Sequence, residues 1–141
     1  MKTIIDATDC AVGRMASAIS ERLLKGEKIA VVNVEKAIIT GNKKFLIDRY
    51  TVRIQKTAKG NPRKSPKFPR TAEAIFKRTV RGMLPRKNQR GMDALKNLKA
   101  FIGIPKEIEK EKIEHIQEAK VKEKKKFLYL GELSRLLGAK F

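Results

Sequence analysis

The sequence has no tryptophan, a single cysteine and a single histidine. With Cys10 alone, no intramolecular disulfide can form and no cysteine cluster can hold a structural zinc, so an oxidising compartment gains no support. A cysteine–histidine nucleophile pair would require Cys10 to meet His115 from the far end of the chain. Asp6, Asp9, Asp48 and Asp93 are scattered, which suits turns and helix caps better than a metal site or an acid–base pair. No metal is therefore expected and no catalytic residue stands out. Neither a dinucleotide-binding glycine fingerprint nor a phosphate loop with its lysine is present, so no cofactor and no small-molecule substrate is expected. No run approaches the roughly 20 apolar residues that span a bilayer, and the first residues lead straight into a strand-like segment without a signal-peptide pattern. The expectation is a cytoplasmic chain.

What the sequence has in excess is positive charge. Its 141 residues carry 34 Lys and Arg against 15 Asp and Glu, a formal net charge of +19, while 41% of residues remain hydrophobic. That length and that apolar fraction suffice for one packed domain. Such a charge repels itself in the compact state and attracts phosphate through long-range Coulomb forces and counterion release. A nucleic acid is the leading partner and an anionic membrane surface the weaker rival.

Along the chain, Thr3–Ala7 reads as a first buried strand, followed by apolar residues Val12, Met15, Ala16, Ile19 and Leu23 at helical spacing, ended by Gly26. Ile29–Val34 is a second, almost wholly apolar run, as in a strand covered on both faces. Strand, helix and strand in this order predict a right-handed crossover between parallel strands. Ala37–Thr40 reads as a further short strand, Gly41-Asn42 as a turn, and residues 43–55 as a helix with Phe45, Asp48, Arg49 and Val52 at helical spacing. Residues 56–70 hold three prolines, one glycine and no acid, predicting an extended basic loop. Helices are expected over 71–84, stopped by Pro85, and over 89–99, the latter turning Met92, Leu95 and Leu98 inward. Phe101–Ile104 reads as a last short strand. Residues 106–126 mix eight Lys with six Glu and read as a solvated helix or extension, and the apolar end, 127–138, as a segment that docks back on a surface.

Between Arg53 and Arg90 there are thirteen basic residues and one acid, Glu73, so this stretch carries most of the net charge. A helix over 71–84 would turn Ile75, Phe76, Thr79 and Met83 one way and Arg70, Lys77, Arg78 and Arg81 into an opposing arc. Ordinary solvated helices intersperse both signs; a face with cations alone repels itself until phosphates arrive. Arginine adds bidentate phosphate contacts and stacking on exposed bases. The candidate RNA-binding residues are therefore Lys56, Lys59, Arg63, Lys64, Lys67 and Arg70 in the loop, Lys77, Arg78 and Arg81 on the helix, and Arg86, Lys87 and Arg90 after it. Arg14 joins them, because Gly13-Arg14 opens the first helix where N–H groups and the helix dipole can hold a phosphate. Lys43 and Lys44, which open the second helix, complete the set.

The run Arg78-Thr-Val-Arg-Gly-Met-Leu-Pro-Arg-Lys-Asn-Gln-Arg-Gly91, with Leu95 and Leu98-Lys-Ala-Phe-Ile-Gly103, closely resembles the universal large-subunit ribosomal protein thirteen family. Ile5-Asp-Ala-Thr8 with Gly13-Arg-Met-Ala-Ser17, and Val32-Asn-Val-Glu-Lys36 with Thr40-Gly-Asn-Lys43, resemble its opening blocks, so the likeness covers about residues 3–105. Phe68-Pro-Arg, Gly103-Ile-Pro105 and Tyr129-Leu-Gly131 resemble the archaeal and eukaryotic branch, and the short chain suits an archaeal source. The resemblance implies a three-layer α/β/α domain with a small, mainly parallel sheet over 1–105 and a C-terminal extension over 106–141. It further implies a non-catalytic constituent of the large ribosomal subunit, a monomer that binds large-subunit rRNA during assembly, stays in the mature particle and touches neighbouring ribosomal proteins. Gly82–Pro85 would be a turn between helices that carries Arg86 and Lys87 toward RNA. A basic DNA-binding or chromatin protein is the alternative that shares the charge, although it should offer a groove-reading helix and a dimer surface. A nucleotide-using enzyme rests only on the strand–helix–strand beginning.

Overall fold

A computed structural model describes residues 2–56, 58–106, 108, 113–121 and 126–140. The order of elements is β1 (Lys2–Asp6), α1 (Val12–Leu24), β2 (Lys28–Val32), β3 (Ile38–Thr40), α2 (Lys43–Gln55), α3 (Ala72–Met83), α4 (Gln89–Lys96), β4 (Leu98–Ala100), β5 (Ile113–Glu114), β6 (Phe127–Tyr129) and α5 (Leu130–Leu136), with 3₁₀ turns at Val34–Lys36, Pro62–Lys64 and Gln117–Ala119. Four strands form a parallel sheet in the order β4-β2-β1-β5, and β3 pairs antiparallel with β6 in a separate ribbon. This is the α/β class with a small, mainly parallel sheet that the family resemblance implied.

Strand alternation sends Ile5, Ile29, Val31, Leu98 and Ala100 to one face of the sheet, where they join a core with Met15, Ile19, Phe76 and Val80. The opposite face carries Ile4, Ala30 and Val32, covered by Ile108 with Phe101 and Ile113 packed against it. α1 follows its spacing: Val12, Met15, Ala16, Ile19 and Leu23 are buried, and the chain leaves it through Gly26 at φ 91°, a left-handed conformation that glycine adopts without steric cost.

Several boundaries differ from expectation for local reasons. β2 stops at Val32 because Asn33 turns left-handed (φ 55°), its side-chain amide donating to Asp6 Oδ1 at 3.0 Å. The strand expected over 101–104 lies instead at Leu98–Ala100, and β5 follows it along the chain as a further strand of the sheet. β4 pairs Leu98 with Ile29 and Ala100 with Val31, and Gly103 at φ 66° ends any extended run. α4 is correspondingly shorter, and Met92 lies exposed while Gly91 and Ala94 are buried. Met83, expected inward, is exposed, and Leu84 beyond the helix end is buried instead. On α2, Phe45 and Val52 face outward, while Leu46 is buried and Ile47, Tyr50 and Ile54 pack against the core.

Of the Lys/Glu-rich segment 106–126, residues 107, 109–112 and 122–125 lie outside the described residues, so the expected solvated helix or extension there falls partly beyond them. The described part supplies β5 to the sheet, and Ala119 to the core. The apolar end docks as expected: β6 pairs with β3, and Leu130, Leu133 and Ser134 of α5 are buried. α5 can come this close because Gly131 has no side chain. A Cβ there would lie 2.9 Å from Glu35 Cβ and 3.0 Å from Glu35 O.

Candidate nucleic-acid interface

The face of α3 is set by its buried stripe. Ala72, Ile75, Phe76 and Val80 anchor the helix in the core, which turns Arg78 and Arg81 to solvent and leaves Lys77 half-buried. Glu73, the lone acid of the basic stretch, is used internally: its carboxylate accepts the Ile102 N–H at 3.3 Å, and it sits in the first turn of α3, where the helix dipole favours negative charge. Among the described residues, none of the thirteen cations between Arg53 and Arg90 forms an ion pair; the salt bridges lie elsewhere.

The basic loop, expected extended, bends at Lys59-Gly60 and folds back so that the Ala58 N–H donates to Ser65 Oγ at 2.8 Å, around one 3₁₀ turn, Pro62–Lys64, capped by the Asn61 side chain, which accepts the Arg63 N–H. Lys56, Lys59, Arg63, Lys64 and Lys67 are exposed along it. Its far end is tied down. Arg78 Nη1 donates to Lys67 O at 3.1 Å, the Arg78 guanidinium lies 4.3 Å from the centre of the Phe68 ring, and Ser134 Oγ donates to Arg70 O at 2.7 Å. Arg78 therefore braces the loop besides presenting charge. Arg78→Ala removes a cation–π contact and a hydrogen bond, each about 1 kcal/mol at an exposed site. The expected result is tryptic cleavage after Lys67 several-fold faster than in the wild type, with global stability changed by less than about 2 kcal/mol. Unchanged cleavage would show that Ser134 alone holds the loop.

Three clefts share walls. The first, of about 230 Å³, is lined by Tyr50, Arg53, Ile54, Phe68, Pro69, Ile75, Arg78, Thr79 and Gly82. The second, about 450 Å³, shares Phe68, Pro69 and Arg78 with it and adds Lys67, Lys77 and Arg81. The third, about 290 Å³, shares Tyr50 and Thr79 with the first and adds Gly13 and Arg14 at the start of α1. Through these shared residues the clefts adjoin one another, from the one at Arg14 to the one at Arg81, with Tyr50 and Phe68 in the walls between them; this row of clefts forms a trough-like surface. Arg53 lies 5.8 Å from the centre of the Tyr50 ring.

The trough brings together Arg14, Lys67, Lys77, Arg78 and Arg81 of the candidates. Other candidates stand apart from it. Arg86 and Lys87 are exposed on the turn between α3 and α4. Arg90 donates to Leu24 O at the C-terminus of α1, at 3.1 Å. Lys43 is paired with Glu132, joining α2 to α5, and Lys44 is exposed beside it, its N–H held by the Asn42 cap. Arg70 is exposed near Gly138. Sequence reasoning missed Tyr50, Arg53 and Phe68 as site residues. The signal available was an aromatic ring inside or beside an acid-free basic run, since ring faces stack on bases.

Cys10 and His115 each approach Asp6, at different atoms: Cys10 Sγ lies 3.9 Å from the backbone carbonyl, Asp6 O, and His115 Nδ1 lies 3.9 Å from the carboxylate, Asp6 Oδ2. Cys10 is fully buried, and burial, with the neighbouring Asp6 charge, pushes its thiol pKa up, so the thiolate a nucleophile needs is disfavoured. Burial alone would raise the Asp6 carboxyl too. Hydrogen bonds from the Thr8 hydroxyl and N–H and from Asn33 outweigh it and hold the carboxyl below the usual range. Asp6 thus works as an acceptor that fixes the β1–β2 end. Among the described residues, no group of three or more His, Cys, Asp and Glu is placed to hold a metal, and no helix is long and apolar enough to cross a membrane.

The family model described as ribosomal protein L13 matches residues 1–107. A protein of Methanosphaera stadtmanae named large ribosomal subunit protein uL13 is 47% identical, with 100% of both chains covered. Proteins of the same name from Archaeoglobus fulgidus and Methanocaldococcus jannaschii are 48% and 43% identical, covering 96% and 99% of this chain and 87% and 99% of their own. On the family match and on identities of this size over nearly the whole length, this chain belongs to the ribosomal protein L13 family.

Proposed function

We propose that the chain is a structural, non-catalytic constituent of the large ribosomal subunit in the cytoplasm, present as a monomer in the particle, where it binds and stabilises large-subunit rRNA during assembly. The observation that carries this reading is the acid-poor stretch from Arg53 to Arg90, whose cations make no ion pair among the described residues and lie mostly exposed. Cations left unmatched within the fold are matched by phosphate, and release of the phosphate counterions supplies the binding free energy. Residues 1–105 then form the RNA-binding core with its loop 56–70. Residues 106–141 are an extension that braces the core and offers surface to neighbouring ribosomal proteins.

The test compares large-subunit rRNA fragments with duplex DNA of equal phosphate number at one fixed salt concentration. The expected result is a preference for a cognate rRNA fragment of about 10³-fold or more, the scale that separates specific from non-specific sites. Equal or tighter binding of duplex DNA would favour a DNA-binding protein and overturn the proposal.

A further inference from the structure

We propose that the trough from Arg14 to Arg81 takes an unpaired RNA strand and seats one of its bases in the central cleft between Tyr50 and Phe68. The inference rests on the rRNA-binding role proposed above and adds the form of RNA recognised. A duplex offers phosphates outward and hides its base faces, so a purely double-helical ligand would need cations on an open surface and no aromatic wall. Here cations sit along a concave track and two rings line its middle. At about 230 Å³ the central cleft lies below the roughly 300–1,000 Å³ of pockets that enclose a drug-sized ligand, which suits one flat ring system better than a whole cofactor.

The floor and walls match a base. Ile54 and Ile75 give an apolar floor, and the Tyr50 ring gives a stacking surface. Arg78, already stacked on Phe68 and tied to Lys67 O, is held at the wall before any ligand arrives, so little side-chain freedom is lost on binding. Arg53 and Arg78 flank the cleft and are placed to meet the phosphates on either side of the seated nucleotide. Arg14 at one end and Lys77 and Arg81 at the other continue the track. Stacking on aromatic faces tolerates any base, so the trough would recognise strandedness more than sequence.

The absence of tryptophan makes a direct test available, because Tyr50 and Tyr129 are the only tyrosines. In the full-length Tyr129→Phe protein, emission reports Tyr50 alone. A single-stranded oligoadenylate decamer should quench that emission on binding, and an RNA duplex of equal phosphate number should leave it unchanged. In the otherwise unmodified chain, Tyr50→Leu should weaken decamer binding by about 5- to 100-fold, with the slope of affinity against salt retained and duplex binding unaffected. Salt-dependent decamer binding with unquenched Tyr50 and an undiminished Tyr50→Leu affinity would overturn the seated base while leaving the rRNA-binding role intact. Failure of both RNA forms to bind at low salt would overturn that role, and this inference with it.

Discussion

Raising monovalent salt from 50 to 200 mM is expected to lower the affinity of the protein for a large-subunit rRNA fragment by on the order of 10³–10⁵, the loss typical of six to ten simultaneous phosphate contacts. The expectation follows from how the charge is arranged more than from its total. Thirteen basic residues and one acid lie between Arg53 and Arg90, and Glu73, the acid, has its carboxylate turned to the Ile102 N–H. Cations of opposite-sign neighbours would be half-neutralised before binding and would release fewer counterions. Arg63, Lys64, Arg81, Arg86 and Lys87 are exposed and outside every ion pair of the described residues, so they reach phosphate with their full charge. A binding curve that hardly shifts over this range would mean that non-ionic contacts dominate.

Phe76→Ala is expected to cost about 3–5 kcal/mol of stability, the usual range for emptying a fully buried phenylalanine site. Phe76 is fully buried on the face of α3 that meets α1, β4 and α5. Against a total stability of about 5–15 kcal/mol, that loss takes a third or more of the margin. Denaturant unfolding should show a lower midpoint with an unchanged m-value, since the surface exposed on unfolding stays nearly the same. Arg81→Ala on the solvent side of the same helix should change stability by no more than about 0.5 kcal/mol. A neutral Phe76→Ala would mean that α3 is not seated as described, and the presentation of its arginines would lose its foundation.

What could be read from the sequence was whatever a single element encodes. The stripe Val12, Met15, Ala16, Ile19, Leu23 dictates α1 because its period is that of the helix, and the acid-poor run, with Glu73 alone, marked the basic loop and α3 for the same local reason. The strand at Leu98–Ala100 was hidden because Leu98 also continues the apolar spacing of α4. Only pairing with Ile29 and Val31, nearly 70 residues away, makes it a strand. Phe45 and Val52 have helical spacing yet face outward, since the position of β6, which packs against α2, decides which side of that helix is covered. The trough was illegible for the same reason: Arg14, Tyr50, Phe68 and Arg78 come from α1, α2, the loop and α3, and no window of sequence contains their meeting. The family resemblance, by contrast, rests on contiguous motifs and needed no tertiary information.

On the proposed reading, RNA is held by the surface built from residues 53–90 and not by net charge at large. Two full-length variants of equal charge decide it: one with Arg63, Lys64, Arg81 and Lys87 changed to Gln, the other with the exposed Lys25, Lys36, Lys106 and Lys140 changed to Gln. Both lose four positive charges, and all eight residues are solvent-exposed, so folding should be little affected in either. Affinity for the same rRNA fragment is measured against salt. The account predicts that the first variant loses about three from the slope of log affinity against log salt, near 0.7–0.9 per lost phosphate contact, while the second keeps the wild-type slope. Equal losses of slope and affinity in the two variants would contradict it.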